Sequence, residues 1–300
     1  MKRIILLLAF VSLSFSGCVK TGSGIEGSGT FEATEVIVSS EATGKILEFT
    51  VSEGDVLKRD EAAGKIDAVQ PVLKRAQLRA NIKGVESRRP DVALQMAATV
   101  QQLESAKTER VRIDNLLKSD AANKKQLDDV DAQISVLEKQ IEAQRTTLQN
   151  SSRGITDESS ALEIQIAQLD DQIGKCTITS PIDGTVLVKY AQRGELAVSG
   201  KALFKIADMN AMFLRAYISE AQLSNFKLGQ SVTVLTDTGI KDNRSYPGTI
   251  TWISDKAEFT PKTVQTRDER ANLVYAVKVA VKNDGYLKIG MYGGIKTENE

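Results

Sequence analysis

The chain has 300 residues, with 39 Lys and Arg against 39 Asp and Glu, no histidine, two cysteines and 41% hydrophobic residues. Zero net charge argues against nucleic acid as the partner, and the lack of histidine removes the commonest metal ligand and the usual general base. No Ser/His/Asp or Cys/His set is available, so the composition points away from an enzyme and toward a protein that works without metal or cofactor.

The chain opens with Lys2-Arg3, an apolar run from Ile4 to Phe15, and Ser16-Gly17-Cys18. A basic start and about a dozen apolar residues describe an export signal, since a spanning helix needs about twenty. Residues 1–17 are therefore expected to be removed. Cys18 directly after Ser-Gly resembles a bacterial lipobox, which implies a lipid-modified mature N-terminus. Residues 18–30, rich in Gly and Ser from Thr21 to Ser28, read as a flexible tether. With Cys18 acylated, only Cys176 remains as a thiol, and its alternating, β-branched setting marks a small buried core residue.

Residues 31–43 read as a joining strand, with Glu35 to Val38 placed to add to a barrel. Residues 44–67 alternate short strands with glycine turns. From 68 to 174 the texture is helical and charged. Leu127, Val130, Ile134, Leu137, Ile141 and Leu148 form a heptad seam on the far arm, and Met96, Val100, Leu103, Ala106, Ile113 and Leu117 a similar one on the near arm. Two such arms joined near 119–123 make an antiparallel hairpin, projecting roughly 70 Å at 1.5 Å per residue. Gly84 and Pro90 predict a break at 84–90, and Gly154 with a cap at Asp157 predicts a matching one at 151–157. Short outer pieces then follow, one carrying Val69, Leu73, Ala76 and Ala80, the other Leu162, Ile166, Leu169 and Ile173.

Residues 175–208 repeat the plan of 44–67. Gly44-Lys45-Ile46 aligns with Gly184-Thr185-Val186, and Glu53-Gly54-Asp55-Val56 falls on Arg193-Gly194-Glu195-Leu196 without a gap. Two half-domains of one plan should each supply the other's missing sheet face. Residues 209–300 return to short strands, with one helix capped by Ser219 and closed by Gly229, which suggests a small β-barrel.

The two halves, with Ser180-Pro181-Ile182-Asp183-Gly184, Gly194, Gly200 and Leu203, resemble a lipoyl or biotinyl carrier domain split at its central hairpin by a coiled-coil insertion. That arrangement is similar to the periplasmic adaptors of bacterial efflux and secretion systems, the membrane fusion proteins or HlyD family. The resemblance implies an elongated α+β fold, with a coiled-coil hairpin in a split lipoyl-like domain followed by a β-barrel. The implied protein sits in the periplasm, lipid-anchored with the inner membrane favoured, and bridges an inner-membrane transporter to a TolC-like outer-membrane channel. Residues 257–267 resemble a segment of adaptors that serve ABC exporters, which favours that class over an RND pump.

In many adaptors the tip carries an arginine, a leucine four residues on and a serine seven beyond, which dock on the channel. Arg112 and Leu116 keep that spacing, and Asn123 stands where the serine would be. The family also implies a ring, hexameric by analogy, with Gln192 lining its bore. Two other readings remain: a lipoyl or biotin carrier, and a structural coiled-coil lipoprotein without a pump.

Overall fold

In the computed structural model, which describes residues 25–236, 244–259 and 273–297, two long strands run through both β modules. These are β1 (Gly27–Ser39) and β8 (Ala202–Ser219), antiparallel neighbours along nearly their whole length with a register shift between Ala33 and Glu35. On one side of the shift, Glu35 to Ser39 with Ala202 to Ala207, they belong to a sandwich, and on the other, Gly27 to Ala33 with Met212 to Ser219, to a barrel.

The sandwich is built from β2 (Gly44–Phe49), β3 (Val56–Leu57), β4 (Ala62–Ile66), β5 (Thr177–Thr179), β6 (Gly184–Lys189) and β7 (Leu196–Ala197), with the near ends of β1 and β8. One sheet runs β5-β4-β2-β7 and the other ends in β1-β8-β6-β3. Residue n of the first half stands for residue n + 140 of the second, and the hydrogen bonds are exchanged accordingly. Gly54 N donates to Val186 O and Gly194 N to Ile46 O, both at 2.8 Å. Asp60 N reaches Ser180 O and Gly200 N reaches Ser40 O, again both at 2.8 Å. Ser40 and Ser180, both buried, close equivalent turns onto the carbonyls of Ala42 and Ile182.

Gly54 and Gly194 share a φ of +94°, a conformation an L side chain resists, so the aligned glycines mark one turn used twice. The halves therefore share one core, in which Ile46, Ala63 and Ile66 pack with Val186, Leu203, Phe204 and Ile206. Neither half can bury that surface alone.

The insertion leaves this module after β4 and returns at β5. It comprises α1 (Val69–Glu86), α2 (Val92–Lys118) and α3 (Lys124–Gly174). Cross-arm contacts fix the antiparallel register: Arg75 with Asp170, Arg88 with Glu158, Lys107 with Glu138, and Arg110 with Asp131. Leu103, Ala106 and Leu137 form a buried cluster, joined by Ile134 and Ile141.

Three expectations about the arms are corrected. The near arm does break, at 87–91, where Pro90 lacks an amide hydrogen and Asp91 restarts the helix by accepting from Leu94 N at 3.0 Å. The far arm does not: α3 runs through Gly154 and Asp157, because a single glycine weakens a helix by only about 1 kcal/mol. In α1 the inward residues are Leu78, Ile82 and Val85, whereas Val69, Leu73, Ala76 and Ala80 face solvent. In α2, Val100 is exposed, and Thr99 takes the seam position with its hydroxyl 3.4 Å from Gln144 Oε1. Since no atom lies within 4 Å of a Cβ at Gly154, Gly154→Ala should raise hairpin stability by about 1 kcal/mol, read as an upward shift of thermal melting. An unchanged or lowered midpoint would contradict a continuous α3.

The barrel closes through β8, β12 (Leu273–Lys282), β10 (Ser245–Ile253), β9 (Ser231–Thr236), β13 (Tyr292–Thr297) and β1, which returns to β8. β11 (Glu258–Phe259) adds to β12, and α4 (Glu220–Leu223) bridges β8 to β9 with the capping box Ser219/Gln222. Phe31, Leu214, Ile218, Val234, Val279 and Ile295 fill the core.

The part of β1 that enters the barrel is Gly27 to Ala33, and Glu35 to Ser39 pairs instead with the sandwich end of β8. The expected tether over 18–30 is corrected where it reaches Gly27 to Thr30, which are paired in β1, while residues 18–24 lie outside the described residues. The glycines there serve close approach: a Cβ on Gly29 would lie 1.8 Å from the carbonyl oxygen of Arg215. Among the described residues no helix is long and apolar enough to cross a membrane.

Candidate docking site at the hairpin tip

Helix α2 ends on a pair of crossed hydrogen bonds. Ala121 N reaches Leu116 O at 3.0 Å and Asp120 N reaches Leu117 O at 3.1 Å. Asp120 takes the left-handed conformation, with φ of +56°, that this ending needs. Three residues later Asn123 starts α3: its Oδ1 accepts from Gln126 N at 2.9 Å while its own N donates to Gln126 Oε1 at 3.1 Å. The turn is therefore closed by reciprocal capping rather than by apolar packing. Gln126 was not singled out from the sequence, though the Asn-x-x-Gln spacing carries the signal.

Arg112 and Leu116 sit one turn apart on the same face of α2. The Arg112 side chain is 73% exposed and touches only Glu109 of its own helix, at 3.5 Å. Neighbouring charges are better held. Lys118 lies 2.7 Å from Asp114, and the hydrogen bond keeps the Asp114 carboxyl below its ordinary range. The carboxylate of Asp131 pushes the Arg110 guanidinium higher still. Leu116 is 38% exposed, while Leu117 turns toward the arm seam. The tip thus presents a forked cation and an apolar knob to solvent, with Asn123 committed to the cap.

Gln192 is not part of this site. It lies exposed in the β6–β7 turn of the sandwich, its carbonyl accepting from Glu195 N at 3.2 Å, as Ser52 does from Asp55 N in the first half. The 51 residues of α3 separate it from the tip by about 75 Å. Cys18 and residues 260–267 lie outside the described residues. Cys176 is buried, its Sγ 3.3 Å from Gln172 O, and burial raises its thiol pKa. No group of three or more His, Cys, Asp or Glu side chains is placed to hold a metal among the described residues.

Asn123→Ala removes the cap at the start of α3 and should weaken the tip by about 1 kcal/mol. Faster amide exchange confined to residues 124–127 is the expected reading, and unchanged exchange would deny the cap its role.

No family model matches the chain. A UPF0194 membrane protein of Acidithiobacillus ferridurans is 26% identical over 284 residues, which cover 88% of this chain and 83% of the relative. Among solved structures, MacA from Actinobacillus actinomycetemcomitans superimposes with a TM-score of 0.56 at 20% identity, over 90% of this chain and 76% of MacA. A MacA-MexA chimera containing the Pseudomonas aeruginosa MexA alpha-hairpin domain gives a TM-score of 0.51 at 24% identity, over 90% of this chain and 78% of the chimera. The chain has the fold of these proteins.

Proposed function

We propose that the chain is the periplasmic adaptor subunit of a tripartite efflux or secretion pump. It joins an inner-membrane transporter, of the ABC class in preference to RND, to a TolC-like outer-membrane channel. The observation that carries this reading is the tip: an exposed Arg112 and Leu116 at the end of a helical rod about 75 Å long, rooted in two β modules. The resemblance of the split half-domains to the lipoyl-like module of adaptors supports it, as does the shared fold with MacA.

In this reading the arms form a coiled coil that sets the distance between membranes, and the lipid on Cys18 holds the base to the inner membrane. The lipoyl-like and barrel modules contact neighbouring copies and the transporter in a hexameric ring, with Gln192 toward its bore. The adaptor performs no chemistry; the transporter supplies the energy.

The test is recovery of partners with the tagged full-length chain from cross-linked membranes of its own cell. A transporter and an outer-membrane channel should both be recovered, the presence of an ATPase separating the ABC class from RND. Recovery of neither would overturn the reading.

A further inference from the structure

At one end the barrel continues into the sandwich through β1 and β8. At the other, strands β1, β9 and β12 begin while β8, β10 and β13 end. This free rim presents large apolar side chains to solvent. Leu228, in the turn between α4 and β9, is 70% exposed, and Leu273, the first residue of β12, is 46% exposed. Trp252 stands at 39% exposure near the rim end of β10, the strand that lies between β9 and β12.

Leu228 is held out by a stiff turn. Phe226, two residues earlier, is buried in the barrel core. Lys227 N donates to Gln230 Oε1 at 2.8 Å, Gln230 N returns to Lys227 O at 3.1 Å, and Gly229 N donates to Ile250 O at 2.9 Å. An apolar group already fixed in place loses little freedom when something covers it. The charges at the rim do not favour one sign of partner: Lys227 and Lys256 are exposed, but so are Glu220 and Asp255, and the Glu26 carboxylate accepts from Thr297 Oγ1.

The chain also enters the barrel at this rim. Glu26 N donates to Ile295 O at 2.9 Å and Thr297 N donates to a Glu26 carboxylate oxygen at 3.2 Å, which ties the start of β1 to the end of β13. Cys18 lies seven residues upstream of Ile25, so the chain between them spans at most about 25 Å.

We propose that this side of the rim is seated in the surface of a lipid bilayer, with Leu228 and Leu273 reaching past the headgroups and Trp252 at their level. Leucines beside a tryptophan, with lysines at the edge, suit the boundary between headgroups and acyl chains. The choice of a bilayer over a protein rests on the lipid at Cys18 in the proposed function, which brings a membrane within about 25 Å of the rim. The seating adds what the lipid lacks. A short tether limits distance and leaves direction free, whereas a tether at β1 and two embedded leucines at β9 and β12 give three points, which fix a plane. The barrel is thereby oriented on the membrane before any transporter binds. Because the rim has no excess of positive charge, the contact is apolar and needs neither anionic lipid nor low salt.

The test uses the full-length chain, purified from membranes of its own cell and returned to phosphatidylcholine vesicles without a transporter. Leu228→Cys and Leu273→Cys variants, with Val56→Cys on the sandwich as the control, each carry a fluorophore on the new thiol; the native Cys176 is buried and Val56 is 74% exposed. With a nitroxide on the upper part of the lipid chains, quenching at positions 228 and 273 should exceed that at 56 at least threefold. It should be unchanged in 1 M salt, where the Debye length is about 3 Å. Leu228→Glu should lower quenching of the label at 273 at least twofold while the protein still floats with the vesicles. Quenching no greater than at 56, in chains that float, would overturn the seating and leave the lipid anchor standing; chains that fail to float would overturn both. Labels unquenched in vesicles yet shielded from aqueous iodide in membranes of its own cell would assign the rim to a protein partner, and would also overturn the proposal. Strong quenching in a chain that recovers no transporter or channel would support the seating while removing the proposed function.

Discussion

Gly29→Val should unfold the barrel. The strand β1 closes that module by pairing with β13 on one side and β8 on the other, and Gly29 faces Gly293 and Ala216 across the two ladders. A Cβ there would sit 1.8 Å from the Arg215 carbonyl oxygen and 2.6 Å from its carbon, which are backbone atoms of a strand held by a neighbour on each side. No rotamer change relieves such a clash, so one of the two ladders must open. The expected loss exceeds about 3 kcal/mol, beyond ordinary overpacking, because hydrogen bonds and core burial go together. In denaturant the variant should lose its β transition early and keep a helical signal from the arms. A midpoint within experimental error of the parent would show that β1 does not close the barrel.

On the proposed function, Arg112→Asp combined with Leu116→Asp should release an outer-membrane channel without loosening the fold. Both side chains are exposed, and neither belongs to the seam between the arms, so stability should move by less than about 0.5 kcal/mol. At a channel, by contrast, the change replaces a forked donor with an acceptor and an apolar knob with a charge, and a desolvated unpaired carboxylate opposes docking strongly. Channel recovery with the tagged variant should fall at least tenfold while transporter recovery persists. Retained channel recovery would remove these residues from docking, and loss of both partners would point to a general failure of assembly.

The repeated half-domain was legible because turn chemistry is local. Gly54 and Gly194 adopt a conformation that other residues resist, so an ungapped alignment of glycines was an alignment of structure. The aligned position Asp60 takes the left-handed region without being glycine, at φ of +64° against +87° for Gly200, and so left no mark. Which strand pairs with which was not legible, since the exchange of hydrogen bonds between halves is a property of the assembled core.

Along the arms, periodicity located the hairpin and its turn but misplaced the inner face of α1, where apolar residues occupy two faces and the pattern alone cannot say which one is covered. Gly154 was overread as a stop, because a glycine without a following proline or an occupied cap lacks the strength to end a helix. Gly27 and Gly29 were overread as flexibility, since composition does not distinguish a glycine that moves from one that leaves room for a neighbour. At the tip, the spacing of Arg112, Leu116 and Asn123 located three residues at one end of the hairpin, yet Asn123 turned out to be committed to Gln126.

The interlocked halves of the sandwich have a consequence for how the molecule comes into being. When residues 44–67 leave the ribosome, every backbone partner they need from the second half is more than a hundred residues behind them. Bringing distant segments together is the slow, entropically opposed step of folding. The long helices shorten that search, because once α3 has zipped back along α2 and α1 the entrance and exit of the insertion are already neighbours. The arm that reaches outward in the finished protein is thus also the splint on which its own base is set.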